Sequence, residues 1–223
     1  MLLDKLVSIL APLCCLGCGV EAGRLVCEVC EEDREPVFSR CYRCKTATLG
    51  YSTCSDCSHR TTLDRVIVYA RYKGLQKELV HAAKYERAKA GLTQIADHLE
   101  PMLTEYFDTD YLLVPAPTAT SRVRQRGYDQ AEVVARRLAV ITGRVYSRLL
   151  ARTGQSHQVG STRKERFEHT KNIFRVRCPS EVNGLHIILV DDILTTGATL
   201  ESAARELKKA GAKSVSALVY SQA

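Results

Sequence analysis

The chain has 223 residues, 45% of them apolar, and no run of 18 or more apolar residues, so it can bury a real core and offers no membrane-spanning segment. Its formal charge of +7 is uneven: residues 1–62 hold seven Lys/Arg against eight Asp/Glu, while 121–178 hold fourteen against four. A uniformly basic protein is therefore excluded, and a polyanion such as single-stranded DNA would be met along 121–178.

Leu2, Leu3, Leu6, Ile9 and Leu10 fall at helical spacing, and the stretch lacks the basic start of an export signal. A short amphipathic helix over Met1–Leu13 is predicted, and with it a reducing, cytoplasmic setting. Regularly paired cysteines there point to metal rather than disulfides.

Four Cys-x-x-Cys pairs follow: Cys15/Cys18, Cys27/Cys30, Cys41/Cys44 and Cys54/Cys57. Each can present two thiolates from one tight knuckle, and two knuckles close a tetrahedral site. Two structural Zn²⁺ ions are predicted, with no open position for catalysis. Gly17 and Gly19 flank the first knuckle, where a sharp turn is expected. Cys14 is a spare beside Cys15, and His59 is an alternative ligand or a solvated linker residue.

Ser58 to Thr62 reads as a linker, giving a double zinc ribbon over 1–60 and a second domain over 61–223. Strands are expected at 65–71, 111–114, 145–150, 173–176, 185–190 and 215–220. Helices are expected at 75–86, 92–106 (broken or kinked at Pro101), 129–141 and 198–210. Thr162 and Glu165 fit the capping box of a short charged helix. The alternation argues for an α/β fold with a mostly parallel sheet covered on both faces.

The run Leu185–Val190 ends in Asp191-Asp192, followed by Thr195, Thr196, Gly197, Ala198 and Thr199. Carboxylates at the end of a buried strand accept hydrogen bonds from vicinal hydroxyls. A Thr/Gly turn at the start of the next helix cradles a phosphate. A ribose 5-phosphate carries both groups at that separation.

This ten-residue run, VDDILTTGAT, resembles the motif of type I phosphoribosyltransferases for 5-phosphoribosyl-1-pyrophosphate (PRPP). The resemblance puts Asp191 and Asp192, the candidate catalytic pair, on the ribose hydroxyls and Thr195–Thr199 around the 5-phosphate. It puts the pyrophosphate, with Mg²⁺, on the loop Pro115-Ala116-Pro117-Thr118, where a strained or cis bond is plausible. Arg122, Arg124 and Arg126, spaced by two, would line one face of an extended loop beside it. The segment 154–166, with Arg163, Lys164 and Arg166, resembles the loop that closes over substrate in this fold.

The wider order covers nearly the whole chain. It runs from the double ribbon through Tyr72-Lys73-Gly74, Lys84-Tyr85, Val114–Pro117 and Gln125-Arg126-Gly127-Tyr128-Asp129-Gln130-Ala131 to the PRPP motif, and it resembles the ComF family of bacterial competence proteins. Tyr128 and Asp129 depart from the family's usual Phe and Asn. The resemblance implies a Rossmann-like phosphoribosyltransferase fold, PRPP binding and a role in DNA uptake, with a competence helicase or other uptake protein as partner. Three functions stay open: a transferase with an unknown acceptor, a PRPP sensor without catalysis, and a single-stranded-DNA-handling factor.

Overall fold

The computed structural model describes residues 12–85, 88–108, 110–153 and 173–223. The helix expected over Met1–Leu13, the capping box at Thr162 and the loop 154–166 lie wholly or almost wholly outside them.

The ribbon builds both cysteine clusters by one plan. The first pair of each cluster sits on a hairpin knuckle, closed by the isolated bridges Cys14↔Glu21 and Arg40↔Ala47. The second pair opens a short helix, α1 (Glu28–Glu32) or α2 (Ser55–Ser58), with Cys27 or Cys54 at its N-cap. The residue after each knuckle turns left-handed: Gly19 at φ 75° and Lys45 at φ 69°. Gly17 does not; a Cβ there would stand 2.8 Å from Leu75 and 3.0 Å from the Cys30 sulfur. Close packing, not a turn, requires that glycine.

Four parallel strands form the main sheet: β1 (Val66–Arg71), β2 (Leu112–Pro115), β5 (His186–Leu194) and β6 (Ser214–Gln222), in the order β1-β6-β5-β2. Their side chains alternate between two cores. Ile67, Leu113, Ile188, Val190 and Leu218 face α3 (Gly74–Ala82), α4 (Ala88–Tyr106) and α6 (Gln130–Thr142). Val68, Val114, Ile187, Leu189 and Val219 face α7 (Ala198–Lys209). Burial on both faces explains why Leu185–Val190 reads as a continuous apolar run.

Several expectations need correction. Pro101 lies inside α4 without ending it, because Leu92, Ile95, Leu99 and Leu103 hold the helix to the sheet on either side of the proline. The strand expected at 145–150 is a single bridge, Leu113↔Tyr146, after which the chain leaves the sheet. It forms β3 (Leu150–Arg152), antiparallel to β4 (Phe174–Val176), as a separate pair. Arg122, Arg124 and Arg126 lie on a helix, α5 (Thr120–Arg126), closed by Gly127 at φ 83°. Helical residues two apart point to nearly opposite sides, so the three do not share a face.

Ribbon and sheet are joined by many bonds. Pro36 bridges Ala70 on the free edge of β1, which covers that edge. Buried Gln94 of α4 accepts the Leu25 and Val26 N–H groups at 2.9 and 3.0 Å. The expected linker is anchored as well, since Thr62 N–H donates to Glu201 at 3.0 Å. Among the described residues no helix is long and apolar enough to cross a membrane.

Candidate functional site

The carboxyl ends of β2 and β5 lie side by side, Pro115 beside Val190, where an open parallel sheet carries its ligand crevice. β5 carries Asp191 and Asp192 there and continues to Leu194. Asp191 accepts the Asp192 N–H at 2.9 Å. Burial, with the Asp192 charge beside it, pushes the Asp191 carboxyl well above the usual carboxylate range. Lys84, from the turn after α3, stands 3.2 Å from Asp192 Oδ2. Tyr72, after β1, is close enough that burial and then the Asp192 charge raise its phenol.

The turn after β5 leaves Thr195 and Thr196 exposed and Gly197 buried. Gly197 adopts φ 77° as N-cap of the twelve-residue α7. Thr196 Oγ1 accepts the Ala198 N–H at 3.4 Å. The first-turn N–H groups and two hydroxyls thus border the crevice at the positive end of the helix dipole.

The loop after β2 is held beside this turn. Ala116 N–H donates to Val190 O at 2.9 Å, and Arg152 of β3 donates to Pro117 O at 3.3 Å. Thr118 donates through its N–H and hydroxyl to Asp129 at 2.9 and 3.0 Å, and Asp129 also caps α6. Peptide bonds here are trans. Pro115 pairs with Val190, so Pro115, Ala116 and Pro117 sit next to the Asp191 end of β5, without the expected cis bond. Arg126 turns toward Gln130 (2.7 Å) and the Tyr85 ring, while Arg122 and Arg124 are exposed. Tyr128 uses its hydroxyl to reach Ala83 O at 2.8 Å.

In the ribbon, Cys15, Cys18, Cys27 and Cys30 hold their sulfurs within 4.8 Å of one another, as do Cys41, Cys44, Cys54 and Cys57. Burial raises Cys15, but N–H groups of Cys27, Cys18 and Gly17 outweigh it and bring the thiol down to about 6. The neighbouring thiols, Cys27 first, push Cys30 up to about 12. Cys44 falls to about 6 through Thr46, while burial and the other thiols take Cys57 up to about 12. Four thiols this close cannot all ionise unaided. A divalent cation would relieve the conflict, so the donor set fits a closed metal site.

Known proteins resemble the chain both in part and over most of its length. The model for the phosphoribosyl transferase domain matches residues 122–221. Competence protein ComFC of Bacillus subtilis (strain 168) is 30% identical over 202 residues, covering 86% of this chain and 81% of its own. The chain belongs to the ComF family. DNA utilization protein YhgH of Salmonella typhimurium is 28% identical over 204 residues, covering 85% of this chain and 87% of its own. Among solved structures, a purine phosphoribosyltransferase from Pyrococcus horikoshii Ot3 is similar at 19% identity over 59% of this chain and 82% of its own, with a TM-score of 0.37.

In and behind the crevice of this ComF protein stand residues that sequence reasoning gave no role. Lys84 and Tyr72 stood in quoted motifs, without a reason to face Asp192. Arg152 was one arginine among fourteen basic residues of its segment; burial and Arg122 lower it, against the attraction of Asp191 and Asp129. Glu201 offered the clearest signal, an acid between Leu200 and Ala203 on the apolar face of α7.

Proposed function

We propose that this ComF protein binds PRPP as its Mg²⁺ complex in the crevice at the ends of β2 and β5, and serves the handling of imported DNA. One observation carries the reading: the Asp191-Asp192 carboxylates lie directly before the exposed Thr195/Thr196 hydroxyls and the N-terminus of α7. Vicinal ribose hydroxyls would donate to the carboxylates, and Thr195, Thr196, Gly197, Ala198 and Thr199 would surround the 5-phosphate. Pro115–Thr118 would border the pyrophosphate, whose charge Mg²⁺ neutralises when bound. Arg152, which donates to Pro117 O, is a cation on that loop, and Arg126 at the end of α5 would join it by leaving Gln130.

Lys84 holds Asp192 in place until the ribose arrives. Asp191 gains most from ligand, because a buried carboxyl beside a second one is relieved by hydroxyl donors. Two Zn²⁺ ions on the Cys₄ clusters fold residues 1–60 into a ribbon, and 61–223 form the phosphoribosyltransferase domain. The names of the relatives support the link to DNA, as do exposed Arg122 and Arg124 on α5, which suit a strand running past the crevice. A competence helicase or another uptake protein in the cytoplasm would deliver that strand.

The test is ligand-dependent melting of zinc-loaded protein. PRPP with Mg²⁺ should raise the melting temperature in a concentration-dependent way, and ribose 5-phosphate should do so less. Equal curves with and without PRPP would refute the site.

A further inference from the structure

Three strand ends stand in a row on the side of β5 away from β2. Leu194, the residue before Thr195, pairs with Gln222 of β6, and Gln222 pairs with Arg71 of β1. Arg71 is thus two strand spacings, about 10 Å, from the start of the Thr/Gly turn. The ribbon adds Arg40, whose Nη2 donates to Gln222 Oε1 at 2.7 Å, and Lys45, whose amine donates to Tyr42 O at 2.7 Å. Arg40 and Arg71 stand close enough for their charges to repel each other.

These cations form no ion pair among the described residues. Among the described residues, no carboxylate lies within 4.0 Å of Arg40, Lys45 or Arg71. Asp33 and Glu35 border the same cleft as Arg71, but Glu35 pairs with Lys73 at 3.5 Å. Lys45 directs its amine to Tyr42 O. Arg40 and Arg71 are left over. The Arg40 Nε is buried and has no hydrogen-bond partner among the described residues. An anion would satisfy that donor and offset the mutual repulsion.

We infer that Arg40 and Arg71, supported by Lys45, form a second anion site at the ends of β1 and β6 that takes the phosphate group of a nucleotide or strand. The inference rests on the PRPP reading for its meaning. With pyrophosphate on the β2 side, a group bound here lies on the opposite side of the ribose, where a second ligand would enter. A guanidinium pair suits phosphate esters through forked hydrogen bonds.

The experiment is calorimetric titration of the full zinc-loaded chain with thymidine 5′-monophosphate, an unphosphorylated oligothymidylate and thymidine, followed by PRPP with Mg²⁺ on the same samples. Arg71→Gln and Arg40→Gln/Arg71→Gln should weaken the phosphate-bearing probe by roughly tenfold or more, with PRPP affinity held within about twofold. Arg40→Lys, which keeps the charge and the fold but loses the fork, should fall between. Binding of the monophosphate alone assigns the site to a terminal phosphate, and binding of the oligonucleotide assigns it to a strand phosphodiester; either supports the inference. Wild-type protein that binds neither, binds thymidine as tightly, or loses nothing in both glutamine variants overturns it. PRPP that fails to bind while the arginine dependence holds would sink the PRPP reading and leave the anion site standing.

Discussion

The Tyr42 hydroxyl, on the knuckle between Cys41 and Cys44, donates to the buried Glu201 carboxylate in the first turn of α7. Glu201 also accepts the N–H groups of Thr62 and Leu63, and the Tyr42 ring lies 3.2 Å from where a Cβ on Gly197 would stand. The second cysteine cluster is therefore packed against the turn proposed to hold the 5-phosphate. Tyr42→Phe removes one bond to a buried carboxylate and should cost about 1–3 kcal/mol in urea unfolding. Glu201→Ala, which orphans three donors, should cost more. A Tyr42→Phe midpoint equal to wild type would deny the coupling.

Metal removal should act unequally at the two clusters. Loss of metal by Cys54→Ser frees the Tyr42 knuckle, and hydrogen exchange of 195–201 should speed up. Cys18→Ser loosens the other cluster, which is stitched to α4 through Gln94, and should leave 195–201 protected. Equal exchange in both variants would contradict this geometry.

Asp191 is held well above its usual range by burial and by Asp192. Its folded state keeps a proton that the unfolded chain has already released, so ligand-free protein should lose stability as pH rises from the ordinary carboxylate range through the raised value. Asp191→Asn should remove that loss and gain about 0.5–2 kcal/mol at pH 8 while weakening PRPP. Denaturation at pH 5 and pH 8 checks the sign. A variant less stable than wild type at pH 8 would contradict it.

His98 stacks on Tyr69 and Tyr220, and burial, with Arg24 and Arg34, lowers it to about 4. Its 3.7 Å approach to Glu31 is therefore not an ion pair near neutral pH. The unfolded chain takes up the proton first, so this group's stability falls as pH drops from about 6.5 toward 4, by on the order of 2–3 kcal/mol. Glu31, raised by burial, works in the opposite direction. The wild type minus His98→Gln difference isolates the histidine, and a flat difference between pH 7 and 4.5 would refute the assignment.

The sequence exposed what is local. Asp191 through Thr199 form one contiguous run, and the cysteine pairs repeat at short spacing, so both could be read directly. Lys84 and Arg152 reach the site from the turn after α3 and from β3, and Tyr42 packs from the ribbon behind the Gly197 turn, through contacts that no single segment encodes. The arginine helix α5 was misread because Arg-x-Arg-x-Arg has no apolar period; only Gly127, its left-handed cap, marked it. The stretch 145–150 has strand composition, but only Tyr146 finds a partner on the edge of β2 before the chain turns away.

The most direct measurement is calorimetric titration of PRPP with Mg²⁺ into zinc-loaded wild type and into Asp191→Asn/Asp192→Asn. Saturable binding by wild type that the double variant loses, with both proteins folded, is the predicted result. Wild type that releases no heat of binding and gains no thermal protection, or a double variant that binds PRPP equally well, would contradict the account.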